Sequence, residues 1–199
     1  KEFIDKIKLK TICCYPLDEG FIDSHVKLIE DKLSDKVDLS NYRMLFSAHG
    51  LPEKIVKSGD PYQWQIEQTV LKIISKLQLI PKFKNIDYKV TYQSRVGPLK
   101  WLDPNTEDEV KIAGKENKSL IIIPVAFVSE HVETLVELDI EYKQIAVDHK
   151  IDYVRVPTLS ANELFIKSLA NMILNFSSND PGCLSSSNFN RICPDIYSK

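Results

Sequence analysis

Short apolar segments rich in β-branched residues alternate along this chain with longer segments of helical periodicity. The short segments are Leu9–Cys14, Tyr42–Phe46, Tyr88–Tyr92, Leu120–Val125 and Tyr153–Val156. The helical segments are Ile22–Leu33, Tyr62–Leu77, Asn105–Ala113, His131–Val147 and Glu163–Leu174. Alternating strands and helices predict an α/β fold, in which helices cover both faces of an open parallel sheet.

Charge and hydropathy exclude two classes of protein. The 26 basic and 28 acidic residues are mixed along the chain and leave a formal charge of -2, so we expect no nucleic-acid partner. The longest strongly apolar run, Leu120–Val128, is far shorter than the roughly 20 residues that a membrane-spanning helix needs.

The four cysteines, Cys13, Cys14, Cys183 and Cys193, form no Cys-x-x-Cys pair, and a reducing, cytoplasmic location fits them best.

Ligands of open parallel sheets bind beyond the carboxyl ends of the strands, where loops lead into helices. Three such loops carry polar and aromatic residues: 47–52, 93–98 and 126–131. None contains a Gly-x-Gly-x-x-Gly or phosphate-loop pattern, so no nucleotide or other organic cofactor is predicted.

His49 directly follows a buried-looking strand, where an imidazole can ligate a first-row metal or move a proton. Glu133, Glu137 and Glu141 recur every fourth residue and therefore share one side of a helix. A row of carboxylates can bind a divalent cation or relay protons. Taken singly, His49 also fits a structural histidine, and the glutamates also fit a solvated helix face.

Aromatic and polar residues near these positions carry the same ambiguity. Trp101 and Phe127 can cover a flat ligand or fill a core, and Arg95 can bind a ligand carboxylate or a surface acid. His131 precedes Glu133 by two residues, so the pair shares a face only if a π-type bulge or the first turn of the helix brings them together.

Four segments, in this order, resemble the ferrochelatase family: LFSAHGLP at 45–52, GDPY at 59–62, YQSRVGPLKWL at 92–102 and PVAFVSEHVETLVELDIEY at 124–142. The resemblance implies insertion of Fe²⁺, as substrate, into protoporphyrin IX. It implies that His49 and Glu133 are the catalytic pair and that these two residues, with Glu137 and Glu141, handle the metal. Ser47, Arg95, Trp101, Phe127 and His131 fall in segments that bind the porphyrin.

The same resemblance implies a domain organisation. Family members have two similar α/β domains around a cleft, and this chain corresponds to the second. We therefore predict a connecting strand and helix over residues 1–40, a chelatase catalytic domain over 41–175 and an irregular tail over 176–199. The first domain becomes a partner in activity, and an apolar substrate favours peripheral contact with a membrane.

Some relatives hold a [2Fe–2S] cluster on four cysteines. Cys183 and Cys193 are too few, so a cluster is not expected from them alone, and it would need an N-terminal cysteine or residues beyond Lys199 to complete the set. Three alternatives stay open. The substrate can be coproporphyrin III, the enzyme can be a sirohydrochlorin-type chelatase, or the chain can be a non-catalytic module that binds porphyrin or metal.

Overall fold

The computed structural model describes residues 11–175, the backbone of residues 183–185, and residues 192–197. The strands are β1 (Thr11–Cys14), β2 (Tyr42–His49), β3 (Asp87–Gln93), β4 (Ser119–Ile123), β5 (Tyr153–Arg155) and β6 (Cys183–Ser185). The helices are α1 (Glu19–Lys32), α2 (Glu53–Lys57), α3 (Tyr62–Leu77), α4 (Thr106–Lys115), a π helix (Glu133–Tyr142), α5 (Lys143–Asp148) and α6 (Glu163–Leu174). Pro81–Phe83 and Asp195–Tyr197 form single 3₁₀ turns.

The central sheet has four parallel strands in the order β3-β2-β4-β5. Each face of β2 packs into its own hydrophobic core. Met44, Phe46 and Ala48 belong to the core that contains buried residues of α1, α3 and α6. Leu45 belongs to the core that α4, the π helix and α5 complete. Burial on both faces explains why β2 is apolar without alternation, and it confirms the predicted open parallel sheet between helices.

Two predicted helices, α3 and α6, begin and end at the predicted residues. At the start of α6, Asn162 Oδ1 accepts hydrogen bonds from the backbone N–H groups of Leu164 and Phe165. An Asn side chain in this position satisfies donors that the first helical turn leaves unpaired. The tight apolar periodicity and the local caps together explain the accuracy of these boundaries.

Three predicted segments differ from expectation. The predicted helix over His131–Val147 is a π helix at Glu133–Tyr142 that continues as α5. The strand predicted at Leu9–Cys14 is described from Thr11 and pairs in parallel with β6 in a separate two-stranded sheet. Leu9 and Lys10 lie outside the described residues. β6 and the turn Asp195–Tyr197 fall within the segment predicted to be an irregular tail.

No helix within the described ranges is long and apolar enough to cross a membrane.

Candidate metal-handling site

The carboxyl ends of β2 and β3 form the floor of the site. His49 and Gln93, the last residues of these strands, are register partners. One residue further on, the Gly50 N–H donates to the Gln93 carbonyl oxygen at 2.8 Å. A Cβ atom at Gly50 would lie 2.7 Å from that oxygen and 3.3 Å from Cε3 of Trp101. Only glycine therefore allows the two loops to approach this closely.

His49 faces Glu133 across the site, with Nε2 3.5 Å from Glu133 Oε2. On its other side, His49 Nδ1 lies 2.6 Å from the Gly50 carbonyl oxygen. A carbonyl oxygen only accepts hydrogen bonds, so Nδ1 carries a proton and donates it. In the neutral ring, Nε2 then presents a lone pair to the carboxylate. Two acceptors that face each other are satisfied when a proton or a cation lies between them.

The spacing of this pair suits one small divalent cation. Bonds of about 2.1 Å from a metal to each atom would close a ligand–metal–ligand angle of about 110° over the 3.5 Å gap. Both side chains are partly exposed, His49 by 43% and Glu133 by 32%, so a metal ion can enter from solvent. Across the described part of the chain, no group of three or more His, Cys, Asp or Glu residues could hold a metal ion.

The glutamate row behind this pair becomes more exposed along its length. Glu133 and Glu137 are half-buried, and Glu141 is exposed. Glu137 Oε2 accepts three hydrogen bonds, from Gln93 Nε2 at 3.0 Å, Ser94 Oγ at 2.9 Å and Tyr142 Oη at 3.3 Å. Oε1, the other carboxylate oxygen of Glu137, accepts no hydrogen bond from these three donors. The metal-binding roles of Glu137 and Glu141 stay predictions.

Gln93 is a site residue that the sequence analysis missed. Its side chain is completely buried, and its Nε2 donates both to the Glu133 carbonyl oxygen, at 2.8 Å, and to Glu137. An uncharged residue at the end of a strand carries no charge and no spacing signal. The only available signal was its place directly after the predicted strand Tyr88–Tyr92.

The opposite side of the π helix is fixed by Arg155, the last residue of β5. Its guanidinium donates to both carboxylate oxygens of Asp139, at 2.8 and 2.7 Å, and to Glu130 Oε1 at 2.6 Å. Burial opposes ionisation of Glu130, but the hydrogen bonds from Arg155 and from the Thr158 N–H outweigh it, so the pKa of this carboxyl lies below its usual range. The π helix is thus held between Gln93 and Arg155.

His131 and Phe127 lie at the entrance to the π helix. Phe127 is buried, and its ring centroid is 5.1 Å from that of the exposed His131. His131 Nδ1 accepts a hydrogen bond from the Glu133 N–H at 3.1 Å. This bond fixes His131 in the turn that precedes Glu133 and brings it beside the pair, as a first-turn residue.

The remaining predicted substrate contacts occupy different depths. Ser47 is fully buried, and its hydroxyl donates to Gln93 Oε1 at 2.7 Å, so it reaches the site through Gln93. Arg95 donates to the Leu102 carbonyl oxygen and, at 2.6 Å, to Asp103 Oδ1. Trp101 is half-buried, and its indole Nε1 is buried with no hydrogen-bond partner. The substrate-binding roles of Ser47, Arg95, Trp101, Phe127 and His131 stay predictions.

Tyr62 holds the backbone of His49 through a hydrogen bond. Its hydroxyl donates to the His49 carbonyl oxygen at 3.0 Å. Burial raises the pKa of Tyr62 to about 12, so its hydroxyl stays protonated at neutral pH and donates this hydrogen bond. The GDPY segment thus contributes to the site through backbone support of His49.

Three cysteines meet away from this site. A register shift between Ile12 and Cys14 interrupts the pairing of β1 with β6. Cys14 has side-chain hydrogen bonds with both Cys13 and Cys193, although the side chains of adjacent strand residues ordinarily point to opposite faces. Burial, with added repulsion from these neighbouring thiols, raises the pKa of the Cys14 thiol to about 12. The side chain of Cys183 lies outside the described residues.

An open parallel sheet with a histidine and a carboxylate facing each other beyond its carboxyl edge defines an α/β protein whose strand ends can bind a divalent cation. The ferrochelatase family model matches residues 1–176. The chain belongs to the ferrochelatase family.

Curated relatives agree with this assignment. The chain is 58% identical to ferrochelatase from Rickettsia bellii (strain OSU 85-389) over 195 residues, which cover 97% of this chain and 53% of the relative. It is 57% identical to ferrochelatase from Rickettsia conorii, over 97% of this chain and 54% of the relative. For ferrochelatase from Pelagibacter ubique the identity is 53%, over 84% and 47%. The chain spans about half the length of the curated relatives it matches.

A solved structure from Deinococcus radiodurans, described as a multi-domain protein with structural similarity to chelatases, aligns with a TM-score of 0.47 and 12% identity. The alignment covers 76% of this chain and 28% of that chain.

Proposed function

We propose that the full-length protein that contains these residues inserts Fe²⁺ into protoporphyrin IX and releases two protons to give protohaem. The observation that carries this proposal is the pair of His49 Nε2 and Glu133 Oε2, which face each other at 3.5 Å. Membership of the ferrochelatase family supports the reaction class and the two substrates, iron and porphyrin.

The pair can supply both parts of the chemistry. Metallation forms four iron–nitrogen bonds and removes the protons of two pyrrole N–H groups, so it needs a metal ligand and a base at the same place. His49 presents a lone pair because its Nδ1 proton is bound to the Gly50 carbonyl oxygen. Glu133 adds a carboxylate, which can ligate iron or accept a proton. Which of the two delivers iron is left to the experiment.

The porphyrin-binding surface is proposed to include Trp101, Phe127 and Arg95, together with the preceding domain. Trp101 lies in the loop after β3, and Phe127 lies in the loop after β4. Aromatic walls bind a flat macrocycle and exclude water from it. A first domain would provide the opposite wall, and for this reason activity is assigned to the full-length protein.

We also propose a cytoplasmic location with peripheral contact to a membrane. Two apolar side chains in the loop beside the site are strongly exposed, Val96 by 74% and Leu99 by 60%. Leu99 shares a surface depression with Lys54, Lys57 and Lys100, of which Lys57 and Lys100 are ion-paired with Glu53. An apolar tip inside a basic rim fits the surface of anionic lipids.

We expect no [2Fe–2S] cluster, and this stays a prediction. Such a cluster takes four ligands, commonly thiolates. The described side chains bring together three thiols, those of Cys13, Cys14 and Cys193. Iron and acid-labile sulfide analysis of anaerobically purified protein tests this point directly.

The deciding experiment is anaerobic Fe²⁺ insertion by the full-length protein, its His49→Ala and Glu133→Ala variants, and the 199-residue chain alone. We expect protohaem from the parent and a loss of at least about 100-fold in both variants, with unchanged circular dichroism. Near-parental turnover in either variant would overturn the catalytic pair. Parallel assays with coproporphyrin III and sirohydrochlorin test the two competing substrates. Porphyrin binding without turnover would identify a binding module.

A further inference from the structure

Four polar side chains form a buried hydrogen-bonded chain beneath the His49–Glu133 pair. Thr91, Thr106, Ser47 and Gln93 are all fully inaccessible to solvent. Thr106 Oγ1 lies 2.9 Å from both Thr91 Oγ1 and Ser47 Oγ, and Ser47 Oγ donates to Gln93 Oε1 at 2.7 Å. These hydrogen bonds run from Thr91 on β3 through Thr106 on α4 and Ser47 on β2 to the Gln93 amide at the end of β3.

The surroundings permit only one orientation of this amide. On the far side from Ser47, it faces the Glu133 carbonyl oxygen at 2.8 Å and Glu137 Oε2 at 3.0 Å. Both atoms accept hydrogen bonds, so the NH₂ group must point toward them and Oε1 toward Ser47. The reversed amide would place three acceptors together in a buried space, which is strongly unfavourable.

These bonds connect Gln93 to the glutamates that handle metal. One N–H binds the backbone of Glu133, in the first turn of the π helix, and the other binds the side chain of Glu137. On the same strand pair, the Gln93 carbonyl oxygen accepts the Gly50 N–H, next to His49. A single residue therefore joins the backbone on the histidine side of the site to the backbone on the glutamate side.

We propose that Gln93 is a positioning residue for metal transfer: it fixes Glu133 opposite His49 and keeps Glu137 behind it with one carboxylate oxygen free. The proposal rests on the proposed function and concerns the geometry within that site. Partners of metal ligands commonly change metal affinity or activity by about 10- to 100-fold when they are removed.

Two variants separate positioning from simple structural support. Gln93→Met keeps length and volume but has no donor, so we expect turnover and Co²⁺ affinity to fall by about tenfold or more at every pH. Gln93→Glu replaces one of the two amide donors, and only when protonated, because its single O–H can then donate to Glu137 or to the Glu133 carbonyl oxygen while its C=O accepts from Ser47. At high pH two carboxylates would face each other at about 3 Å, and like charges this close resist joint ionisation.

For Gln93→Glu we expect turnover to fall at alkaline pH, a decrease that the parent protein does not show. Turnover would exceed that of Gln93→Met at pH 6, where one donor is retained, and fall by at least about tenfold by pH 8.5, with little change in KM for porphyrin. The matched control is Gln144→Glu on α5, where an exposed Gln donates to Asp148 Oδ1 at 2.8 Å. This control should leave the pH profile unchanged.

The measurements are anaerobic turnover from pH 6 to 8.5, Co²⁺ affinity by calorimetry, and thermal unfolding, all on the full-length protein. Parallel losses in both Gln93 variants at all pH values would show a purely structural role and overturn the proposal. The proposal would also be overturned if Gln93→Met bound Co²⁺ as tightly as the parent does. The same holds if the parent itself did not bind Co²⁺. A parent that binds Co²⁺ but makes no protohaem would instead refute the proposed function.

Discussion

The imidazole Nε2 of His49 and the carboxylate Oε2 of Glu133 lie 3.5 Å apart, although one residue ends a strand and the other begins a π helix. Backbone contacts determine the position of each residue. His49 binds the Gly50 carbonyl oxygen through Nδ1, and Tyr62 binds the His49 carbonyl oxygen. Glu133 is held by Gln93 through its carbonyl oxygen and by His131 through its N–H. The pair is therefore organised before a metal arrives.

If one cation binds both His49 and Glu133, the losses of Co²⁺ affinity caused by substituting each residue should not be additive. We expect His49→Ala and Glu133→Gln each to weaken Co²⁺ binding by about tenfold or more, and the double variant to lose little beyond either single variant. Calorimetric titration with Co²⁺ measures this coupling, and Glu163→Gln at the exposed start of α6 serves as the control. Fully additive losses would show two independent sites.

Gly50→Ala tests the close approach of the two loops. The new Cβ would meet the Gln93 carbonyl oxygen at 2.7 Å, and a backbone atom cannot move away cheaply. We expect the free energy of unfolding to fall by about 1–3 kcal/mol and Co²⁺ affinity to fall with it, by urea denaturation and calorimetry.

Gly97→Ala is the matched comparison for Gly50. Gly97 has a φ of +71° but no atom within 4 Å of the position of a Cβ. This variant should lose stability through backbone strain while it keeps the parental Co²⁺ affinity. Equal loss of metal affinity in both variants would contradict a specific role of the Gly50–Gln93 contact.

His25 makes stability depend on pH. The side chain is buried, its Nε2 has no hydrogen-bond partner, and burial lowers its pKa from 6.5 to about 4. Between these values the unfolded chain binds a proton that the folded protein excludes, so stability is highest above pH 6.5 and declines on acidification toward pH 4. The total loss should be roughly 3 kcal/mol.

In His25→Leu, the free energy of unfolding should depend less on pH than in the parent. Urea unfolding at intervals from pH 4.5 to 7.5 measures this dependence. The partly exposed His149 offers a control, His149→Gln, in which the slope should persist. An unchanged slope in His25→Leu would assign the acid sensitivity to other groups.

The exposed loop beside the site should bind lipid. We expect the double variant Val96→Ser, Leu99→Ser to reduce sedimentation with anionic phospholipid vesicles by at least about tenfold, since two apolar side chains no longer enter the bilayer. Val37 and Leu79 are exposed by 92% and 84% but precede β2 and β3, at the other edge of the sheet. Their double serine variant should sediment like the parent, and a similar loss there would indicate nonspecific adsorption.

Cys14 should react slowly with alkylating reagents. The thiolate is the nucleophile, and the pKa of Cys14 is raised to about 12, whereas Cys13 is exposed. We expect iodoacetamide at pH 8 to modify Cys13 at least about tenfold faster, as resolved by fragmentation of the shared peptide. Equal rates would contradict the thiol contacts. Protection of both residues until a chelator and reductant are added would show a bound metal or cluster.

Elements with strong local signals were predictable from sequence. Apolar periodicity set the bounds of α3 and α6, and the alternation of elements predicted the parallel sheet. The π helix was not predicted, because a four-residue spacing of glutamates fits α and π windings alike. Its winding accompanies contacts from Gln93 and Arg155, which come from other strands.

Candidate site residues divide in the same way. His49 and Glu133 were candidates by residue type and position, the resemblance to the ferrochelatase family implied that they form a pair, and the structure brings them together. Gln93 and Arg155 act through neutral or paired hydrogen bonds that only the folded chain reveals. Likewise, the contact between Cys13 and Cys14 depends on a register shift in β1, which no side-chain pattern encodes.

The π helix between Glu133 and Tyr142 places an unusual constraint on evolution of this segment. Each residue of an α helix turns by about 100°, so loss of one residue and return to an α winding would rotate everything beyond it. Glu133 and Asp139 would then no longer face Gln93 and Arg155 together. Leu135 and Ile140 are exposed, so we expect substitutions there to be tolerated. We therefore expect insertions or deletions between Glu133 and Asp139 to be rarer among relatives than substitutions at the outward positions of this segment.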